Sequence, residues 1–381
     1  MLDPRANIRE IKEAEELERL SPYAVPAARS RGRRKPEAPC TTRTAYERDM
    51  GRIIYSLDFR RLRHKTQVFF NPRSDHVCTR MEHVIYVSYI ARTIGKALRL
   101  NEDLIEAIAL GHDLGHAPFG HSGEAELNAI LRREGSGFQF KHEVHSLRVI
   151  DVLAEHQGKR QGLNLSFEVR DGIVSHCGER YLETDLHANR EKTEKDLYPG
   201  AESHALPASL EGCVVRIADR IAYLGRDIED AARAGLMDFE DIPRDLKQTL
   251  GASNRDIVNN LVTDIIRTSQ GQDAIKLSPG PAQAMSALLQ LNAHRIYASA
   301  KVRRYEFIAR QIVDGLYEAF KQGLEDPEAL AQSPIPVLAN LAKFAAEHPE
   351  PQASRDRIIC DYLAGMTDVY ASESFKSIYQ I

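Results

Sequence analysis

Apolar residues recur along most of this chain at intervals of three and four, the repeat of a helix with one buried face. Val84, Val87, Ala91, Ile94 and Leu98 mark one such stripe. Asn101 then stands where an N-cap belongs, with Glu102 and Asp103 in the first turn, where the helix dipole favours acids. Leu104, Ile105, Ile108 and Ala109 carry this second helix to His112 and Asp113, and Gly111 and Gly115 mark its end. Segments 124–134 and 142–157 read as two more helices around a glycine-rich turn near 135. Pro207 opens a long helix whose core face is Leu210, Val214, Ile217, Ile221, Leu224 and Ile228. Later helices are expected near 255–270, 281–322, 334–347 and 355–370. There is no internal repeat, no sustained heptad and no alternation of strands with helices, so the expected class is all-α.

Three stretches set the expected organisation. Residues 1–45 hold Pro, Ala and the basic run Arg31–Lys35, which suggests a partly disordered, solvated arm. Residues 46–235 would form a catalytic core, with 158–206, the least regular part, as a loop or lid-like insertion. Residues 236–381 would form a C-terminal helical region packed on that core.

Composition narrows the classes. In 381 residues, 51 Lys and Arg against 55 Asp and Glu leave a net charge of −4, without the bulk basic excess of a dedicated nucleic-acid binder. No run approaches the ~20 apolar residues of a membrane helix, and the first residues lack the apolar segment of a secretory signal. Five scattered cysteines without a CxxC pair argue against a disulfide scaffold or zinc ribbon, and a cytoplasmic location is expected.

The fourteen histidines change the picture, since many cluster between 64 and 176. His112 and Asp113 follow Ile108 and Ala109 by four residues, so both continue apolar faces. Buried polar groups of this kind need a partner or a metal. With His83 and a distant Asp219 they form a nitrogen and oxygen donor set suited to Mn²⁺, Fe²⁺, Ni²⁺ or Zn²⁺ more than Ca²⁺. Asp219, Tyr223 and Asp227 make one polar stripe on a mostly apolar helix. In GHDLGHAPFGHSGEAELN, His116, His121 and Glu124 fall in a turn shaped by Pro118, Gly120 and Gly123. His121 and Glu124 are three apart, close enough for the carboxylate to orient the imidazole for acid or base work. Arg60, Arg61, Arg63, His64 and Lys65, followed by Gln67, and Arg80 one turn before His83, add groups suited to phosphate.

Histidine, then His-Asp, then a distant Asp resembles the signature of HD-domain phosphohydrolases. DFRRLRHKTQVF, TRMEH, HDLGHAPFGHSGEAELN, FKHEVHSLRV, RIADRIAYLGRDIEDA and CDYLAGMTD narrow the resemblance to the bacterial deoxyguanosine-triphosphate triphosphohydrolase-like proteins, from about Tyr23 to Tyr370. The resemblance implies an HD-domain helical bundle and one metal on His83, His112, Asp113 and Asp219, with Mg²⁺ possible on the substrate triphosphate. It implies a catalytic dyad of His121 and Glu124, phosphate neighbours His116, His142, Arg63 and Arg80, a sugar-hydroxyl contact at Gln67, and a sugar site lined by Tyr223 and Asp227. The implied reaction is hydrolysis of a deoxynucleoside triphosphate at the α-phosphorus, giving deoxynucleoside and triphosphate.

The chain departs from the family pattern at Cys78, Glu82, Tyr86, Lys141, Glu143 and His145, which puts substrate choice and effector response in question. Alternatives are another HD chemistry on a monophosphate or cyclic nucleotide, or a regulatory dNTP- or single-stranded-DNA-binding protein with an inactive site. The resemblance also implies a homo-oligomer and a dNTP or single-stranded DNA effector.

Overall fold

The computed structural model describes residues 7–67, 78–177, 183–198, 206–350 and 352–380. In chain order the helices are α1 (Ile8–Arg19), α2 (Ala45–Tyr55), α3 (Leu57–Arg61), α4 (Arg80–Ala97), α5 (Glu102–Gly111), α6 (Gly120–Arg133), α7 (His142–Arg148) and α8 (Phe167–Val174). They continue as α9 (Leu210–Arg233), α10 (Arg244–Leu250), α11 (Asn254–Ser269), α12 (Pro279–Asn292), α13 (Ala300–Gly323), α14 (Pro327–Ala331), α15 (Pro336–Ala346), α16 (Arg355–Ala364) and α17 (Asp368–Tyr379). The strands among the described residues are two residues long and form two antiparallel pairs, Glu155–His156 with Lys159–Arg160 and Asp185–Leu186 with Ile275–Lys276. The all-α class stands.

The chain makes two compact units that interleave in sequence. The first comprises 1–55, 83–112 and 164–299; the second comprises 56–82, 113–163 and 300–381. In the first unit α9 is the central rod. Its Val214, Ile217, Ile221, Leu224 and Ile228 are fully buried, as the stripe predicts, and it packs on α5, α8, α11 and α12. Each such side chain contributes about 1.5–3 kcal/mol on burial. Asn101 caps α5 by accepting the Asp103 and Leu104 N–H groups. In the second unit Leu127, Ile130 and Leu131 of α6 pack with Ile312, Val313, Leu316 and Phe320 of α13 and with Ile359 and Leu363 of α16.

Several boundaries differ from expectation, each for a local reason. The 281–322 helix is two, α12 and α13, separated by a π turn at Ala293–Tyr297. The 355–370 helix is also two, because Thr367 caps α17 by accepting the Tyr370 N–H. The 142–157 helix stops after α7 and a π turn at Val149–Leu153, and the strand pair 155–160 follows.

The arm expected at 1–45 is folded over its described part. α1 forms at Ile8–Arg19, and Arg31 and Arg33 of the basic run bond to residues of the first unit. Arg33 pairs with the buried Asp49 and reaches the Asn164 carbonyl. Arg31 lies 4.5 Å over the Phe167 ring, while its own N–H donates to Glu168. The insertion expected at 158–206 likewise holds α8, whose eight residues are all buried. Its charges hid the helix, because they are satisfied internally: Arg170 by Glu194, Asp171 by Lys192. The parts of that span at 178–182 and 199–205 lie outside the described residues.

Candidate metal and catalytic clusters

In the first unit, α4 supplies His83, the end of α5 supplies His112, and α9 supplies Asp219. Their donor atoms gather within 4.8 Å of one another. His83 Nε2 is 2.9 Å from Asp219 Oδ1, and His112 Nε2 is 3.8 Å from the same oxygen. His112 Nδ1–H donates to the Ala109 carbonyl at 2.7 Å, which fixes the tautomer and turns the Nε2 lone pair toward Asp219. This is the outer contact that orients metal-binding histidines. Burial alone would raise the Asp219 pKa, but the His83 hydrogen bond and the surrounding histidines outweigh it and hold it at about 2. The carboxylate is therefore ionised and the donor set fits a divalent cation.

Two further features belong to this unit. His176, which the sequence reading did not single out, sits with its ring 4.8 Å from that of His112, and its Nδ1 is 2.6 Å from the Ile173 carbonyl. It closes a helix that itself looked like loop, so no periodicity pointed to it. Tyr223 and Asp227 follow Asp219 on α9, and the Tyr297 hydroxyl donates to the buried Asp227. Burial pushes the Asp227 carboxyl up to about 7, against the lowering effect of that hydrogen bond.

In the second unit, Asp113, joined to His112 by a peptide bond, has Oδ2 2.8 Å from Arg80 Nη1 and Oδ1 3.2 Å from His116 Nε2. Arg80, expected as a phosphate contact, is thus anchored on one side; its Nε and Nη2 are buried without a hydrogen-bond partner among the described residues. His116 Nδ1 and Gln67 Oε1 are also buried without one. Arg63 is exposed on a short 3₁₀ turn, Leu62–His64.

The rings of His116 and His142 stack at 3.9 Å, with His121 edge-on to both at 5.4 and 5.6 Å. Glu124 Oε2 is 2.8 Å from His142 Nδ1. The expected pairing of Glu124 with His121 is therefore not a direct hydrogen bond, although the groups of His121, Glu124 and His142 lie within 4.8 Å. Burial would raise the Glu124 pKa; the His142 charge and hydrogen bond overcome it and lower it. Desolvation, then the charges of Arg80 and His142, pushes His116 well below the usual histidine value. Desolvation, and then the charges of His142 and Arg80, lower His121 below the usual histidine value. Gly115 brings the turn against α7: a Cβ there would sit 2.1 Å from the Ser146 nitrogen, and the Gly115 N–H donates to Ser146 Oγ at 2.8 Å.

Among the described residues no helix is long and apolar enough to cross a membrane. Residues 80–224 match the HD domain model, and residues 275–377 match the phosphohydrolase-associated domain. HD domains bind divalent metals, in keeping with the clusters above. A protein of Caldanaerobacter subterraneus subsp. tengcongensis named deoxyguanosinetriphosphate triphosphohydrolase-like protein is 40% identical over 98% of this chain and 96% of its own length. A protein of the same name from Desulfatibacillum aliphaticivorans is 40% identical over 98% of both chains, and one from Thiobacillus denitrificans is 35% identical over 95% of this chain and 98% of its own. With its helical fold and histidine-aspartate clusters, the chain belongs to the deoxyguanosinetriphosphate triphosphohydrolase-like family of HD-domain phosphohydrolases.

Proposed function

We propose that this protein is a metal-dependent dNTP triphosphohydrolase that cuts at the α-phosphorus and releases deoxynucleoside and inorganic triphosphate. The observation that carries the reading is the set of buried, unspent groups beside the histidines: two guanidinium nitrogens of Arg80, His116 Nδ1 and Gln67 Oε1. A buried polar group without a partner costs about 1–3 kcal/mol, so such a set belongs with a ligand that completes it. The guanidinium suits phosphate oxygens, and the amide oxygen suits a sugar hydroxyl. The names of the relatives support the same substrate class.

His83, His112, Asp113 and Asp219 would hold the metal. Bound there, a divalent ion supplies charge neutralisation at the phosphate and a lowered pKa for water. The chain's own residues do the rest. Arg80 carries positive charge to the phosphate while holding Asp113. His121, whose lowered pKa keeps the ring neutral, accepts the proton of the attacking water and returns it to the departing 5′-oxygen as the P–O5′ bond breaks. If Tyr223 lines the sugar site as the resemblance implies, its ring under C2′ would disfavour ribose. A dNTP or single-stranded DNA effector and a homo-oligomeric state remain part of the proposal by resemblance.

The test is a metal-defined turnover assay on each dNTP and NTP, resolving nucleoside, monophosphate, pyrophosphate and triphosphate. Deoxynucleoside with intact triphosphate, lost in His121→Ala, is the expected result. Monophosphate with pyrophosphate as the products would move the cut to the α–β phosphoanhydride bond and overturn this reading.

A further inference from the structure

The CDYLAGMTD motif near the C-terminus has no role in the chemistry above, yet it ends at a buried carboxylate aimed at the catalytic turn. Asp368, the first residue of α17, is 1% exposed. Its Oδ1 accepts the Phe119 N–H at 2.9 Å. Its Oδ2 accepts the Thr66 N–H at 2.9 Å and the Thr66 hydroxyl at 2.6 Å. All three donors belong to the same compact unit as the carboxylate.

Phe119 is an unusual place to end such a bond. It is the N-cap of α6, with φ 64° and ψ 18°, left-handed backbone that a phenylalanine rarely adopts. No side chain of its own caps the helix. His121 and Glu124 follow within the first turn and a half, so the angles at Phe119 set where both point. Strained backbone of this kind persists only where surroundings over-determine it. Here the surroundings are the core, which buries the Phe119 ring, and the charged acceptor that Asp368 offers its N–H. A second tie runs alongside: Lys65, next to Thr66, is buried and donates through Nζ to the carbonyls of His116 and Ala364.

We infer that Asp368 is a positioning residue for the hydrolysis, holding the left-handed turn at Phe119 so that His121 and Glu124 meet the reacting groups. The inference rests on the triphosphohydrolase reading. Small misplacements of a catalytic group cost rate far more than binding. An asparagine at 368 has nearly the same shape, but one of its two terminal atoms is a donor and opposes either Phe119 or Thr66.

The experiment compares wild type, Asp368→Asn and Thr66→Val in dNTP turnover, with metal content and melting temperature measured on the same samples. For Asp368→Asn, kcat is expected to fall at least about 30-fold, with KM within threefold and full metal content below the melting transition. Thr66→Val, which leaves the Phe119 contact in place, should keep kcat within about threefold. In a His121→Asn background the Asp368→Asn change should cost less than about threefold, because its effect passes through the histidine. An undiminished loss there, or a kcat for Asp368→Asn within threefold of wild type, overturns the inference. If Asp368→Asn does not fold, Asp368→Glu, which keeps the charge and displaces the carboxylate, is put to the same criteria. Absence of triphosphate release by wild type itself is a failure of the functional reading, and is distinct from these outcomes.

Discussion

Glu124 Oε2 and His142 Nδ1 lie 2.8 Å apart, so the acid expected to steer His121 is bonded to a different histidine, eighteen residues further along the chain. His142 in turn stacks on His116. The proton-handling group proposed above would then comprise three rings and a carboxylate. Groups that act as a unit lose activity non-additively. Glu124→Gln and His142→Ala should each lower kcat by about 10²–10⁴-fold, the usual range for general acid or base work. The double variant should be little worse than the poorer single. Additive losses in dNTP turnover would show that the two residues work separately.

Arg80 ties Asp113 in place before any ligand arrives. Removing a partner that orients a metal ligand typically costs about 10–100-fold in metal affinity. Arg80→Ala is expected to weaken Mn²⁺ binding by that amount and to lower the melting temperature of the metal-free protein, since a buried ion pair is broken. Titration of chelator-treated protein with Mn²⁺ checks the first, and a thermal scan checks the second. Unchanged Mn²⁺ affinity would reduce Arg80 to a phosphate contact alone.

Metal removal should abolish turnover and lower the melting temperature, because an ion that binds only the folded state stabilises it by mass action. Re-addition of Mn²⁺ should restore both. The histidine ligands must be deprotonated to bind, so affinity should fall as pH drops below the ordinary histidine value of about 6.5. In His112→Ala the chelator should shift the melting temperature little. Turnover that survives exhaustive chelation would sink the metal-dependent reading.

His145 gives a pH dependence whose sign is fixed. Desolvation in the second unit pushes it down to about 3, with Asp361 opposing and Arg148 adding to the shift. The unfolded chain takes up this proton near pH 6.5, the folded chain only near 3. The stability it contributes is therefore fully present above about 6.5 and is lost as pH falls from there through 3. Between pH 7.5 and 5 the wild type should lose more melting temperature than His145→Gln. Equal losses would place the acid sensitivity elsewhere, for instance on His116 or His121, which are shifted in the same direction.

The Arg33–Asp49 pair holds the N-terminal segment to the first unit, with side chains 8% and 0% exposed. Breaking a buried pair by removing one partner costs about 3–5 kcal/mol. Arg33→Ala should lower stability by that order in denaturant unfolding and open the segment to protease. A variant as stable and as resistant as wild type would return the basic run to its reading as a free arm.

The sequence by itself determined the helical class, the α9 stripe, the Asn101 cap and the family, because each rests on local spacing or a contiguous motif. Periodicity of three and four needs no knowledge of distant residues. It also supplied His83, His112 and Asp219 as a donor group, which the tertiary fold then gathers within 4.8 Å. Pairings between distant residues were out of its reach. Nothing in spacing ties Asp368 to Phe119, 249 positions away, or makes Glu124 choose His142 over His121. Charges misled it for the same reason: Arg33 and α8 look solvated until the fold supplies Asp49 and Lys192. Local pattern decides which elements form, and the fold decides which charges and turns they can bury, because the partners that satisfy them come from elsewhere in the chain.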